Sequence, residues 1–337
     1  MDSASDAITF TNPSSLAWPH LGLELVVYLG FALTVRHALG EYRRGNGFHA
    51  FQWVVIFIYG LIMELVSFNF IDNYAHATFT VQFYHGLLPL YVTCIYVVFH
   101  YTGIKLVERL RLPTIQEGLL CGLAIMAIDV PFDTLGVDAG WWVWKDNSEI
   151  ALHARLIDAV ATRFYNVPVT SYYWYLMYGA LLAMFCRTAY PWVQNRSLSA
   201  RLAAAPLVSV SVFVAGALAF ELMLWTPARF GIGHGTSVAV YLGVVWSYAL
   251  TVRAPTARPI PGWIVFNVGL FYAFHLGLLL SLWAGGGLEA PAVKLSLVLL
   301  AATGLTLLSK FFPLRSGGRA AAPAPANAAV VRSLRRA

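Results

Sequence analysis

Apolar residues in this chain come in long runs separated by short charged segments. Nine runs stand out, at about 21–35, 47–68, 87–101, 118–135, 168–186, 202–225, 236–252, 262–284 and 293–308. Most are long enough to cross a hydrocarbon layer of roughly 30 Å as a helix. The pattern therefore predicts an all-α, polytopic membrane helix bundle of about nine transmembrane helices, forming a single domain over 1–312. One connection is long, 136–167, and it carries the cluster Trp141-Trp142-Val143-Trp144. That cluster reads as an interfacial aromatic anchor or as the lid of a cavity. The stretch 148–164 places Ile150, Leu152, Leu156, Val160 and Ala161 as an amphipathic helix would, lying on the membrane surface. After Phe312 the chain turns to Gly, Ala and Pro with Arg332, Arg335 and Arg336 and no acid. Residues 313–337 are expected to be a disordered basic tail lying against anionic headgroups.

Composition narrows the class further. Of 337 residues 59% are hydrophobic and 11% charged, with a mean hydropathy of +0.66, against about 25% charged in soluble domains. A soluble enzyme, a disordered protein and a disulfide scaffold are excluded. The net charge of +6 does not indicate nucleic-acid binding, because the basic residues sit at the ends of apolar runs and not among exposed aromatics. Their placement follows the positive-inside rule. With the N-terminus outside and the C-terminus inside, 17 of the 22 Lys and Arg fall on the inner side. Only Lys145, Arg155, Arg163, Arg229 and Lys294 remain outside. The three cysteines lie within apolar runs and read as small buried hydrophobes. No basic segment precedes the first run, so no cleaved signal peptide is expected. The expected location is a cell membrane, of the bacterial plasma-membrane type.

The candidate chemistry lies in the acids within the runs. A carboxylate at the bilayer centre costs at least about 2.5–3.5 kcal/mol, so it marks a functional hypothesis. Glu64, Asp129 and Glu221 each stand one to two turns before the outer end of their run. Asp133 follows Asp129 by one turn on the same helix face. Glu24 lies close enough to the surface to snorkel, and His275, in mid-run, faces the same layer. Two carboxyls one turn apart in a low-dielectric site do not both ionise, which leaves a neutral acid able to donate a proton. Each acid alone can equally be a structural partner of a neighbouring helix. No His-Glu-x-x-His spacing, mid-helix lysine, Walker loop or G-x-G-x-x-G ahead of a helix is present, so no metal, retinal or nucleotide cofactor is expected.

Three segments resemble one another. Glu64 is followed by Tyr74 and Gly86-Leu87-Leu88-Pro89. Asp129 and Asp133 are followed by Gly140-Trp141-Trp142-Val143-Trp144 and Tyr165-Asn166-Val167-Pro168. Glu221 is followed by Pro227, Arg229 and Gly231-Ile232-Gly233. Each unit sets an acid near the end of one helix, then a loop, then a returning helix. Internal repeats are common among membrane proteins, transporters included.

At these motifs the chain resembles the integral membrane carotenoid-modifying family. That family includes the CruF-type carotenoid hydratases (bisanhydrobacterioruberin hydratase) and, more distantly, the heterodimeric lycopene cyclases. The likeness covers roughly 63–187. It departs in an insert of about 18 residues between Lys145 and Phe164, in Asn166 where glycine is usual, and in Ser171, Tyr172, Tyr173 and Trp174 after the proline. The resemblance implies acid-catalysed hydration or cyclisation of a polyene end group without a redox cofactor. Asp129 or Asp133 would protonate the terminal double bond. Trp141, Trp142, Trp144 and Tyr165 would stabilise the carbocation, and Glu64 or Glu221 would position water or remove a proton. Tyr74 and His275 would complete the substrate site. The partners implied are a hydrophobic small molecule, a carotenoid or other isoprenoid, and the lipid bilayer. Oligomeric state stays open. Two other functions fit the same residues: a transporter or proton-coupled carrier using the acid layer as a relay, and a Mg²⁺-dependent prenyltransferase using Asp129-x-x-x-Asp133 with Asp138.

Overall fold

A computed structural model of the protein describes residues 7–145, 162–252 and 258–308. The predicted surface helix over 148–164 and the tail 313–337 fall largely or wholly outside these residues. Among the described residues, each predicted apolar run forms one long helix. These are α1 (Trp18–Arg43), α2 (Gly47–Val66), α3 (Leu90–Glu108), α4 (Thr114–Gly136), α5 (Val169–Val193), α6 (Leu198–Phe220), α7 (His234–Thr251), α8 (Gly262–Ala284) and α9 (Ala290–Thr306). Six of them (α1–α4, α6 and α8) are long and apolar enough to cross a membrane. Large apolar side chains stand exposed along the outside of the bundle, Leu207, Leu218 and Leu222 on or just past α6 and Val240 and Val244 on α7 among them. Water would penalise that surface at roughly 25 cal/mol per Å², whereas lipid does not. The molecule has the helical bundle of a membrane protein.

The centre is α3 and α4. Both are buried along nearly all their length. A helix apolar on every face has no side to give to solvent, so it becomes the core. α4 packs against α3, α5, α7, α8 and α9. Its closest neighbour is α5, and Gly122 permits the approach: a Cβ there would collide with the backbone carbonyl of Leu176, with Gly179 alongside. Small residues at such crossings bring backbones together where no hydrophobic drive between helices exists.

Pro131 lies inside α4, between the two aspartates. A proline has no N–H, so the carbonyl of the residue four positions earlier loses its helical donor. That residue is Ala127, and its carbonyl accepts the Tyr272 hydroxyl of α8 at 2.6 Å. The break in the ladder is thus closed from a neighbouring helix.

The all-α bundle carries one addition, because short strands form where loops meet at one end of the bundle. β1 (Ile8–Phe10), β3 (Val81–Phe83) and β4 (Leu88–Pro89) make one antiparallel sheet in the order β1-β3-β4. β2 (Tyr74–His76) pairs antiparallel with β5 (Trp142–Trp144), and β6 (Arg163–Phe164) pairs with β7 (Val167–Pro168). Loops between apolar helices expose backbone groups that must find partners. These loops find them in one another.

Replacing Tyr272 with Phe leaves the Ala127 carbonyl buried without a donor, at about 1–3 kcal/mol. The unfolding midpoint in detergent should fall. In a Pro131→Ala background, which restores the N–H, the same substitution should cost little; an equal cost in both backgrounds would disprove the closure.

Candidate functional site

At the β end, the helix ends and loops enclose a cavity of about 120 Å³. Its walls come from α2, α3, α4 and α5, and its cover comes from the β2–β5 ladder. The ladder pairs Tyr74 with Trp144 and His76 with Trp142. Strand side chains alternate between faces, so these four aromatic groups point to one side, and all four line the cavity. Ala75 and Val143 face the other way, and Val143 is exposed. The Lys145–Asp72 ion pair extends the ladder by one step. Gly136, the last residue of α4, makes room for the cover, because a Cβ at that position would strike the indole of Trp142.

Glu64 lies in the last turn of α2, and it is 2% exposed. Beyond it the helix widens into a π turn at Ser67–Ile71 and reverses at Asp72, which adopts a left-handed conformation at φ 54°. This reversal sends β2 back over the cavity. The Glu64 carboxylate accepts the Tyr74 hydroxyl at 2.8 Å and the Tyr96 hydroxyl at 2.9 Å. His76 Nε2 stands 3.7 Å from the same carboxylate, and His76 Nδ1 is 3.5 Å from the hydroxyl of Tyr91. His100 lies beside this cluster, stacked on Tyr96 at 5.9 Å and edge-on to Tyr59 at 5.6 Å.

Asp133 lines the cavity beside Ser171. Asp129, 1% exposed, stands behind it against the hydroxyl of Tyr175 and the carboxyl of Asp133. Its Oδ1 has no hydrogen-bond partner among the described residues. A buried carboxyl oxygen left open in this way is costly, and it leaves the pair free to share or pass a proton. Phe132, next to Asp133, also lines the cavity and packs 4.7 Å from Trp142.

The predicted site residues divide accordingly. Glu64, Asp133, Tyr74, Trp142 and Trp144 line the cavity, with Asp129 directly behind. Four do not join them. Glu221 opens a π turn at Glu221–Trp225 and pairs with Arg229 in a partly exposed ion bridge. Trp141 is wholly buried, stacked on Phe132 and Phe274, and so it is core and not anchor or cage. His275 packs edge-on against Trp141, its Nδ1 2.8 Å from the Phe271 carbonyl. Tyr165 donates to Asp138 at 2.9 Å away from the cavity. That loop carboxyl is held above the usual carboxylate range by burial, with the Tyr165 hydroxyl opposing the shift. Glu24 is structural: it accepts the Thr80 amide at 3.2 Å, the Thr80 hydroxyl at 2.7 Å and the Tyr28 hydroxyl at 3.1 Å, tying the loop between β2 and β3 to α1.

Sequence reasoning missed His76, Tyr96, His100, Ser171 and Tyr175. His100 stands next to the end of the third apolar run at 101, but α3 continues to Glu108 and leaves His100 in mid-helix. A signal was available. Tyr96 with His100 and Ser171 with Tyr175 repeat the one-turn spacing of Asp129 with Asp133 inside apolar runs, which sets each pair on one face. Likewise Tyr74-x-His76 and Trp142-x-Trp144 have the period of a strand face.

Among the described residues no three His, Cys, Asp or Glu side chains converge as metal ligands. The arrangement can hold a small apolar group between a carboxyl pair, a carboxylate held by two phenols and several aromatic faces. The fit of the cover is testable. Gly136→Ala should lift Trp142 and raise acrylamide quenching of tryptophan fluorescence. The same change should add nothing in a Trp142→Phe background. Unchanged quenching in Gly136→Ala alone would refute the fit.

No curated protein and no solved structure matches this chain. A family model described as a domain of unknown function (DUF7802) matches residues 11–257, a stretch that contains every residue of the cavity. The chain belongs to the DUF7802 family.

Proposed function

We propose that this protein is an integral membrane enzyme that performs acid-catalysed hydration or cyclisation on the end group of a carotenoid or similar isoprenoid. The observation that supports this best is the company of Asp133 in the cavity. One buried wall supplies a carboxyl pair, Glu64 is held by two phenol donors, and the rest is aromatic. An alkene is a very weak base, so its protonation calls for a neutral acid where water is scarce. The faces of Trp142, Trp144 and Tyr175 suit the carbocation that follows.

The size of the cavity agrees with an end group and not a whole polyene. An apolar cavity of about 150 Å³ holds one benzene, so about 120 Å³ accommodates a branched five-carbon terminus while the chain extends into the bundle or lipid. In the proposed sequence Asp133, backed by Asp129, gives a proton to the inner CH carbon of the terminal double bond, which leaves the positive charge on the dimethyl carbon. The resulting tertiary cation either gains water, whose proton passes to Glu64, or closes onto a neighbouring double bond and loses a ring proton to Glu64. In both cases the acid and the base exchange one proton and oxidation state is unchanged.

The proposed topology has all nine helices spanning, with the N-terminus and the β end outside and the charged end inside. The alternation of Lys and Arg between segments supports it. A Mg²⁺–diphosphate role for Asp129, Asp133 and Asp138 is less well supported, since the Asp138 carboxylate faces Tyr165 in the loop.

Expression in a lycopene-producing bacterial host, followed by mass spectrometry of the pigments, tests the reading. A product heavier by one water identifies hydration, and an isomer with a shorter chromophore identifies cyclisation. Asp133→Asn and Asp129→Asn should reduce product by roughly 10²–10⁴-fold, the range supplied by general acid catalysis, with normal membrane insertion. Glu221→Gln should be active. Unaltered pigment with the wild-type chain, or full activity in both Asp variants, would contradict the proposal.

A further inference from the structure

The opposite end of the bundle holds a second, larger cavity of about 530 Å³. It opens where α1, α3 and α5 end and α4 begins, closed on one side by the segment that leads into α8. Five Lys and Arg line it against three Glu. The three carboxylates have cations of their own: Glu108 takes Lys105 at 2.5 Å, Glu117 takes Arg187, and Glu41 takes Arg44 at 2.6 Å. Arg111 and Arg258 then stand at the rim as excess positive charge.

Topology alone does not account for this construction. The positive-inside rule needs basic residues only in loops, where they stay hydrated. Here Lys105 is 6% exposed and Arg109 8%, and burying cations is costly unless they are compensated. Lys105 is compensated by Glu108 and by the rings of Phe48 and Tyr101, 5.0 and 5.1 Å from its Nζ. The mouth is fixed by a reciprocal backbone and side-chain clasp. The Arg258 amide donates to the Arg109 carbonyl at 2.9 Å, and the Arg109 guanidinium donates to the Arg258 carbonyl at 2.9 Å. This holds the backbone of Arg258 at the cavity edge.

We propose that this cavity is a binding site for a phosphate ester, with Arg111 and Arg258 at its mouth taking the phosphoryl oxygens. Arginine presents paired donors that match phosphate geometry. The volume lies within the range of small-ligand sites, about 300–1,000 Å³. The ester can come from an anionic phospholipid headgroup or from a soluble metabolite, and both meet the same donors.

The test uses the full chain purified in neutral detergent. Glycerol 3-phosphate and inorganic phosphate are titrated against the unfolding midpoint, with chloride at matched ionic strength as the control. Retention of phosphatidylglycerol against phosphatidylcholine is read by native mass spectrometry. A midpoint raised by glycerol 3-phosphate or phosphate, but not by chloride, supports a soluble ester. Selective retention of phosphatidylglycerol without that rise supports a lipid headgroup. In either case Arg111→Ser with Arg258→Ser, two exposed positions, should weaken binding by roughly tenfold or more. A control pair, Arg43→Ser with Arg196→Ser, removes the same charge from the same end outside the cavity, and it should bind as wild type. No response to any probe, or an equal loss in both pairs, overturns the proposal.

Discussion

Three cross-strand pairs, Tyr74 with Trp144, Ala75 with Val143 and His76 with Trp142, join two loops that leave different helices far apart in the chain. Without them, Glu64 at the end of α2 and Asp133 near the end of α4 would be two separate buried acids. With them, both acids face a single covered space. The pairing also satisfies backbone groups that would otherwise face a poorly hydrated interface, where each unpaired group is expensive. The cover and the stability of the loops therefore have one physical origin.

The acids themselves differ in how they are accommodated. Glu24 and Glu64 receive protein donors on their oxygens. A hydrogen bond to a charged group offsets about 1.5–3 kcal/mol of burial. Asp129 keeps one oxygen without a partner beside a second carboxyl. Pro131 interrupts the helix between the two aspartates, and Tyr272 repairs the break from α8. Such an arrangement is poor for stability and well suited to moving a proton. That contrast sets Glu24 and Glu64, whose oxygens are met by protein donors, apart from the Asp129–Asp133 pair, where one oxygen is open.

Much of the fold was legible in the sequence, since long apolar runs have few outcomes other than buried or lipid-facing helices. All nine runs form helices at nearly the expected places. The acids on α2 and α4 were legible because an ionisable group in such a run is conspicuous. Less visible was which groups share a space. Glu221 looked equivalent to Glu64, yet Arg229 lies close enough to draw it into an ion pair. Trp141 and Trp142 are adjacent, yet Trp141, just before β5, is buried in the core while Trp142, on the strand, lines the cavity. The loop strands left only a faint trace, because strands of two or three residues show at most one alternating pair each, as in Tyr74-x-His76 and Trp142-x-Trp144. His275 lay at the right depth but on a helix that meets the core through Trp141 and Phe271.

The central claim is that the two loops are paired in the stated register to form one cover, and proximity of Ala75 and Val143 tests it most directly. Both side chains face away from the cavity, and the native cysteines Cys94, Cys121 and Cys186 are buried. A chain carrying Ala75→Cys and Val143→Cys, treated in intact membranes with dibromobimane, should become fluorescent through a thiol-to-thiol bridge. Peptide mapping should place the bridge between these two positions. Each single variant should stay dark. Failure of the double variant to bridge, with both thiols still open to a monofunctional maleimide, would contradict the account.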